Sequence, residues 1–433
     1  MAFLVSGTLR MAAQIADAQD SLRRKGKYSV QGPRVALTLS SPEVSASTVA
    51  LLESVFQALG FESCPRREAS VQDFLEELTG FREQLDAHRA PAGCVLVALV
   101  APRGQLRQPQ KLVRELSGCE ALRGCPKVFL LLSSAPGASP KPGTFLTGLS
   151  ELCGRCPHWS LLQLLTEPEP GPRAQYDLSR DRAALLLAVI RDRPGAQRDV
   201  EALGGLCQTL GFETTLRTDP TAQAFQGELA QFRERLDTRR SPVSCALVAL
   251  MAHGGPQGQL LGADGREVQP EALVQELSRC RALRGRPKIF LLQACRGGHR
   301  DVGLGPTALP WFWRWLRAPP ATPSHADVLQ IYADAQGSSS GGPTPGSCDQ
   351  ADILVAYAAA EGCVAYRDEK GSDFIQTLVE VLRAAPEGDL LELLTEVNQR
   401  VCELDVRGPD CSESRKACLE IRSSLRRRLC LQA

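Results

Sequence analysis

The 433-residue chain has almost no excess charge, few aromatic residues and few histidines. Its 50 basic and 49 acidic residues leave a formal net charge of +1, which gives no general reason to expect a nucleic-acid partner. Aromatic residues make up only 5%, and there are five histidines, at 88, 158, 253, 299 and 325. No run of 18 apolar residues occurs, so no membrane-spanning helix is expected. No G-x-G-x-x-G or Walker pattern follows a strand, which argues against a nucleotide-binding α/β domain. No pair of C-x-x-C motifs stands at zinc spacing, and neither metal nor cofactor is expected. The N-terminal MAFLVSGTLRMAAQ lacks a basic region and makes a poor signal peptide.

The hydrophobic fraction, 43%, is ordinary for a globular protein, and the length predicts two to three domains. Sixteen cysteines raise the question of a disulfide framework. Several lie inside apolar runs, such as Cys94 in CVLVALV and Cys245 in CALVAL, where a free thiol behaves as a small hydrophobe. A chain of this size needs no staples, and a reducing cytoplasmic or nuclear setting fits best.

The chain repeats itself. FREQLD at 81–86 returns as FRERLD at 232–237, ALRGCPKVFLL at 121–131 as ALRGRPKIFLL at 282–292, and QALGFES at 57–63 as QTLGFET at 208–214. Each copy exceeds 100 residues, so this is a duplicated domain and not a solenoid. The boundaries read as an extension over 1–27, a first copy over 28–169 and a Pro-rich linker over 170–175. The second copy then divides into 176–302, a linker at 303–350, and 351–433. A smaller echo lies inside the second copy: ADVLQIYADAQG at 326–337 resembles ADILVAYAAAEG at 351–362. Only one of the two can fill the core strand position. The second continues directly into CVAYRDEKGSDF, so the first is expected to be surplus linker.

Apolar strands alternate with amphipathic helices in the second copy. RAALLLAVI, SCALVALMA and KIFLLQAC read as strands buried on both faces. DVEALGGLCQTLGF and TAQAFQGELAQFRERLDTRR read as helices, and PEALVQEL opens with proline in a first helical turn. The C-terminal RRRLCLQ at 426–432 reads as a last short strand. Together these predict an α/β three-layer sandwich with a mostly parallel central sheet, in duplicate. Ligands of such sheets bind beyond the carboxyl ends of the strands, and both His253 and Cys295 fall just past strand ends.

A cysteine is nucleophilic as thiolate, and a nearby imidazole can take its proton and later protonate a leaving amine. His253 alone among the histidines sits after a buried strand and before glycines. Gly254 and Gly255 let the backbone approach an oxyanion, with the amides of Gly254 and Cys295 as the natural donors. Around the cysteine the sequence is Gln293-Ala294-Cys295-Arg296-Gly297, the local signature of caspases.

The second copy therefore resembles the caspase family, across 176–433 apart from roughly 303–350. Matching stretches include DPTAQAFQGEL, PVSCALVALMAHG, QACRG, VAYRDEKGSDFIQTLVEVL and LLELLTEVNQRV. The resemblance implies a thiol endopeptidase made as a zymogen, with family roles in apoptosis, inflammation and differentiation. It implies protein substrates cut after aspartate, whose carboxylate is held by Arg193, Gln293 and Arg367, with Tyr366 lining the neighbouring pocket. It implies activation by cleavage after aspartate, for which Asp327, Asp334 and Asp349 offer sites. Of these Ile331-Tyr332-Ala333-Asp334 is the most protease-like. It also implies a homodimer through the C-terminal strand, expected at 426–432, and other caspases as partners. WFWRWLR at 311–317 reads equally as an interaction patch or as drift.

The first copy lacks the chemistry. Its counterparts of His253 and the following glycine are Pro102 and Arg103, and those of Gln293 and Cys295 are Leu132 and Ser134. Nothing corresponds to Arg193 or to the segment of Arg367. TFLTGLSELCGRCPHWSLLQLLTEP looks like two helices without their preceding strand. An alternative function follows from this: a catalytically silent regulator or decoy that binds proteins without turnover.

Overall fold

Strands that are apolar along their whole length must be covered on both faces, and this requirement sets the architecture. The computed structural model describes residues 28, 32–64, 67–68, 70, 72–88, 92–102, 109–122, 124–134, 142–156, 161, 164, 175–255, 258–296, 327–334, 351–360, 365–407 and 414–432. The chain divides into two compact units, Met1–Leu165 with Ser324–Pro343, and Thr166–Pro323 with Thr344–Ala433. WFWRWLR and Asp349 lie outside the described residues. No helix among the described residues is long and apolar enough to cross a membrane.

The N-terminal unit is built on strands β1 (Arg34–Ser40), β2 (Glu62–Ser63), β3 (Arg67–Glu68), β4 (Cys94–Pro102) and β5 (Lys127–Ser134). Alternate residues of these strands enter two separate cores. Ala36, Leu96, Ala98, Leu130 and Leu132 pack with helix α1 (Ala46–Ala58) and helix α4 (Pro142–Arg155). Leu37, Val95, Val97, Phe129 and Leu131 pack with α2 (Phe74–His88) and α3 (Pro109–Ser117). This is the period-2 alternation of a sheet between two helical layers.

The C-terminal unit repeats the plan with β6 (Asp181–Ala188), β7 (Phe212–Thr218), β8 (Val243–Met251) and β12 (Lys288–Gln293). A small antiparallel sheet of β9 (His253–Gly254), β10 (Leu260–Leu261) and β11 (Glu267–Val268) interrupts it. The helices are α5 (Ala196–Thr209), α6 (Ala222–Thr238), α7 (Pro270–Ser278), α8 (Asp373–Ala384) and α9 (Leu390–Glu403). Three of them start at a side-chain cap: Thr221 accepts from the Ala224 amide, Ser372 from that of Ile375, and Asp389 from those of Leu391 and Glu392. All nine residues of β8 are buried. Phe225, Leu229 and Phe232 of α6 and Leu273 and Leu277 of α7 cover one face of the sheet. Burying each such side chain contributes roughly 1.5–3 kcal/mol.

One expected linker is a strand. Val328–Asp334 forms β13, and it pairs in parallel with β5 of the N-terminal unit over seven residues, Val328↔Lys127 to Asp334↔Ser133. The segment read as surplus is thus the strand that precedes the helices of the first copy. Sequence order concealed this, because it lies beyond the second copy's own β12. The C-terminal unit uses β14 (Ile353–Tyr357) at the equivalent place, parallel to β12 with Ile353↔Lys288. The strand orders agree: β13-β5-β4-β1-β2 in one unit and β14-β12-β8-β6-β7 in the other. The remaining strands are β15 (Arg367–Asp368), β16 (Gly371–Ser372), β17 (Asp405–Arg407), β18 (Ser414–Lys416) and β19 (Glu420–Ser423).

A second expectation is corrected at the sheet edge. The outer strand beside β14 is β19, antiparallel with Leu354↔Ser423; residues 426–432 make only the isolated bridges Gln175↔Arg428 and Asp389↔Cys430. Leu425, Leu429 and Leu431 are buried, and the backbone here is spent on the turn before α9. The Leu429 amide donates to Asp389 Oδ2 (3.0 Å) and the Leu390 amide to the Leu429 carbonyl (2.8 Å).

Matched side-chain pairs mark the repeat. Asp86 and Asp237, the last residues of FREQLD and FRERLD, each accept from a cysteine thiol and an amide: Cys119 (3.1 Å) and Ala121 (3.0 Å), or Cys280 (3.2 Å) and Ala282 (2.9 Å). Burial, reinforced by the aspartate, pushes these thiols up to about 12 and about 11. Burial alone pushes Cys207 up to about 12. Cys119, Cys207 and Cys280 are not in disulfides.

Asp352 anchors the C-terminal sheet. It accepts from Tyr176 (2.7 Å) and takes a two-point contact from Arg426 (2.9 and 2.7 Å). Burial alone would raise its carboxyl, but the Arg426 and Tyr176 hydrogen bonds outweigh burial and hold it below its ordinary 3.8. A depressed carboxyl contributes stability that is complete above its unfolded value and disappears as pH falls through the folded one. Asp352→Asn keeps a residue type that tolerates the positive φ of 63°. It is expected to cost roughly 1–3 kcal/mol at neutral pH, a figure that allows for the solvent exposure of Arg426. Urea unfolding from pH 7 to below 3.8 checks this: the gap between mutant and wild type should close at the acid end.

Candidate active site at the strand ends

Beta strands β8 and β12 lie side by side with Gln293 opposite Met251, and the Ala252 amide donates to the Gln293 carbonyl (3.1 Å). The next residues of both strands therefore leave the sheet together at its carboxyl edge. His253 and Gly254 turn into the small sheet, opposite Leu261 and Leu260. Cys295 follows β12 by two residues. The Gly254 Cα lies so close to Cys295 that a Cβ there would fall 1.8 Å from the Cys295 carbonyl oxygen and 3.0 Å from its amide nitrogen. Only glycine permits this approach.

His253 is half-buried, whereas Cys295 is 1% exposed. The Cys295 thiol donates to the Ala365 carbonyl (3.4 Å), so the chain leading into β15 covers the sulfur. The amide of Gly255 is engaged by the Gln259 carbonyl (2.7 Å), which braces the turn after His253.

A second group assembles on the same edge. Arg193 follows β6, Gln293 ends β12, and Arg367 opens β15; they are 4%, 1% and 8% exposed. Arg193 Nη1 donates to the Val189 carbonyl (2.7 Å), and Arg367 Nε to the carbonyl of Pro194, next to Arg193 (2.7 Å). Gly195, at φ 75°, presses on the β15–β16 hairpin so closely that a Cβ would meet the Asp368 carbonyl oxygen at 1.8 Å. Asp199 accepts from the Ser372 amide (2.8 Å) and Gln376 Nε2 (3.0 Å). Burial raises the Asp199 carboxyl despite these bonds and the Arg367 charge, which weakens it as a neutralising partner. Two buried guanidiniums thus lie on one edge with hydrogen bonds to backbone carbonyls, and a guanidinium fork matches the geometry of a planar carboxylate. Tyr366 adjoins Arg367 and its carbonyl accepts from the Asp373 amide at the start of α8 (3.1 Å).

One neighbour of the cysteine received no role in the sequence. Arg296 stacks over the Tyr357 ring at 4.4 Å and pairs with Glu420 of β19. Arg422 covers the same ring at 5.0 Å and pairs with Glu420 (2.7 Å). This assembly holds the chain leaving Cys295 against β14 and β19. Its only sequence signal was Arg296 within the pentapeptide, since Tyr357 and Glu420 are brought to it by strand pairing.

Of the other expected positions, Asp327 and Asp334 bound β13 in the N-terminal unit. In that unit Pro102 stands opposite Ser134 at the ends of β4 and β5, where the second copy carries His253 and Cys295. Among the described residues no cluster of His, Cys, Asp and Glu could hold a metal ion.

A family model for the caspase domain matches residues 181–430. Over 271 residues the chain is 40% identical to caspase-14 of Homo sapiens, covering 62% of this chain and 100% of the relative. Caspase-14 of Mus musculus is 38% identical over 271 residues, covering 62% and 98%. Caspase-8 of Rattus norvegicus is 32% identical over 225 residues, covering 51% of this chain and 42% of its own length. Among solved structures, caspase-1 from Spodoptera frugiperda matches with a TM-score of 0.46 at 24% identity, over 61% of this chain and 98% of that one.

Gly254→Ala tests the close approach. It should cost at least the ~1–3 kcal/mol of an overpacked site, because backbone rather than a side chain must move. Displacing Cys295 from under the Ala365 carbonyl should speed its alkylation by iodoacetamide, followed by mass spectrometry, while the far-ultraviolet spectrum stays native.

Proposed function

The chain belongs to the caspase family, and from that premise we propose that it hydrolyses protein substrates after aspartate, with Cys295 as nucleophile. The observation that carries this reading is the convergence on one sheet edge of Gly254 against Cys295 with the buried Arg193, Gln293 and Arg367. In the proposed reaction His253 takes the Cys295 proton as the sulfur attacks the scissile carbonyl. The oxyanion lies against the amides of Gly254 and Cys295. The imidazolium gives its proton to the departing amine, leaving an acyl-enzyme. Water then attacks the thioester with His253 as base, releasing the new carboxylate and restoring the thiol.

The aspartate side chain of the substrate is assigned to Arg193 and Arg367, with Gln293 completing the pocket and Tyr366 lining the next one. Substrate entry requires the Cys295 thiol to leave the Ala365 carbonyl, which fits a precursor activated by rearrangement of the segment before β15. Cleavage between β12 and β14, after Asp327, Asp334 or Asp349, is the proposed trigger. The proposed homodimer edge is β19, not 426–432, because β19 is the outermost strand of the C-terminal sheet. The catalytically silent reading is less favoured, since the C-terminal unit retains each chemical group that the reaction needs.

Fluorogenic peptides ending in aspartate test this proposal. Cys295→Ala should abolish turnover. Arg367→Lys keeps the charge but loses the planar fork, and should lower kcat/KM by about 10–100-fold, equivalent to ~1.4–2.7 kcal/mol. Equal turnover of asparagine-ended peptides by the wild type would sink the assignment of the arginine pocket.

A further inference from the structure

The N-terminal unit does not draw its last parallel strand from between β5 and α4. Only residues 135–141 separate β5 from α4, whereas a parallel crossover takes about a dozen residues or more. The vacant edge of β5 is filled by β13, drawn from between β12 and β14 of the C-terminal unit.

The fit is that of a native strand, down to its entry. Asp327 precedes β13 as Asp352 precedes β14, and both adopt positive φ, 64° and 63°. The Lys127 amide donates to the Asp327 carbonyl (2.8 Å), as Lys288 does to Asp352 (2.9 Å). Tyr28 donates its hydroxyl to Asp327 Oδ1 (2.8 Å), as Tyr176 does to Asp352 Oδ1 (2.7 Å). The lysine ammoniums repeat too, Lys127 to the Cys125 carbonyl (3.0 Å) and Lys288 to that of Arg286 (2.9 Å). Tyr28, Lys127 and Asp327 thus come from three distant parts of the chain and reproduce a junction that the C-terminal unit makes for itself.

We propose that the β5 edge of the N-terminal copy is a docking site for this chain's own segment Val328–Asp334, and that docking withholds the segment from proteolytic processing. A protease takes its substrate as a separate extended strand, so a bond within or at the end of a paired strand is cut only after local opening. Ile331–Asp334 is paired with Leu130–Ser133. Cleavage after Asp327 or Asp334 then requires β13 to peel away, and the degenerate copy acts as a clamp on the activation segment. The consequence for activation rests on the cleavage proposed above; the docking does not.

The test uses full-length Cys295→Ala protein, which cannot cut itself, with and without Val328→Pro/Leu329→Pro. Two consecutive prolines remove at least one amide that faces β5, whichever parity points inward. They also lie outside the four residues that precede the Asp334 bond. Hydrogen exchange should show those amides of 330–334 that face β5 protected in the parent and exposed in the variant, with those of β14 protected in both. Protection should be unchanged on dilution. An added protease that cuts after aspartate should cleave after Asp334 at least about tenfold faster in the variant, because cleavage follows the population of the open form. Fragment masses separate this from cleavage after Asp349. The same amides exchanging in the parent as in an unstructured chain would overturn the docking, and protection lost on dilution would overturn docking within one chain. Equal cleavage rates despite protected amides would overturn the withholding alone.

Discussion

The alignment of β8 with β12 is the constraint on which the site depends. Both strands are buried along their length, and a one-residue slip would turn every inward side chain to the other face. With that register fixed by the two helical layers, the ends of the two strands leave the sheet side by side. The Ala252–Gln293 hydrogen bond marks the point of departure. Beyond it Gly254 meets Cys295 backbone to backbone, and the thiol and imidazole carriers become neighbours although 42 residues apart in sequence.

The group of Arg193, Gln293 and Arg367, which we propose holds the substrate carboxylate, depends on the same edge but is built differently. Arg193 and Arg367 lie on connections, not strands, and they are joined through Pro194 and through the glycine contact of Gly195 with the β15–β16 hairpin. Burial of two guanidiniums is costly in itself. It is offset here by short hydrogen bonds to backbone carbonyls, with Asp199 held in a setting that weakens its charge.

Much of this was legible in the sequence. Continuous apolar runs gave the parallel strands, and glycines after His253 together with Gln293-Ala294-Cys295-Arg296-Gly297 pointed to the sheet edge at which Gly254 meets Cys295. Three features were not legible, each because pairing between distant segments decides them. ADVLQIYADAQG reads as redundant beside ADILVAYAAAEG until the unfilled edge of β5 is seen. The chain end at 426–432 has the composition of a strand, but its leucines enter the core and β19 takes the edge. Arg296 has no evident task until strand pairing brings Tyr357 and Glu420 to it.

The central claim is that a carboxylate-recognising pocket delivers a carbonyl to Cys295. Its most direct test is covalent capture by a peptide ending in aspartyl aldehyde or aspartyl fluoromethyl ketone, with the modified residue identified by mass spectrometry. The account predicts labelling of Cys295 alone among the sixteen cysteines, slowed by Arg367→Lys and absent with the asparaginyl analogue. Labelling spread over other cysteines, or equal reaction of the two analogues, would contradict it.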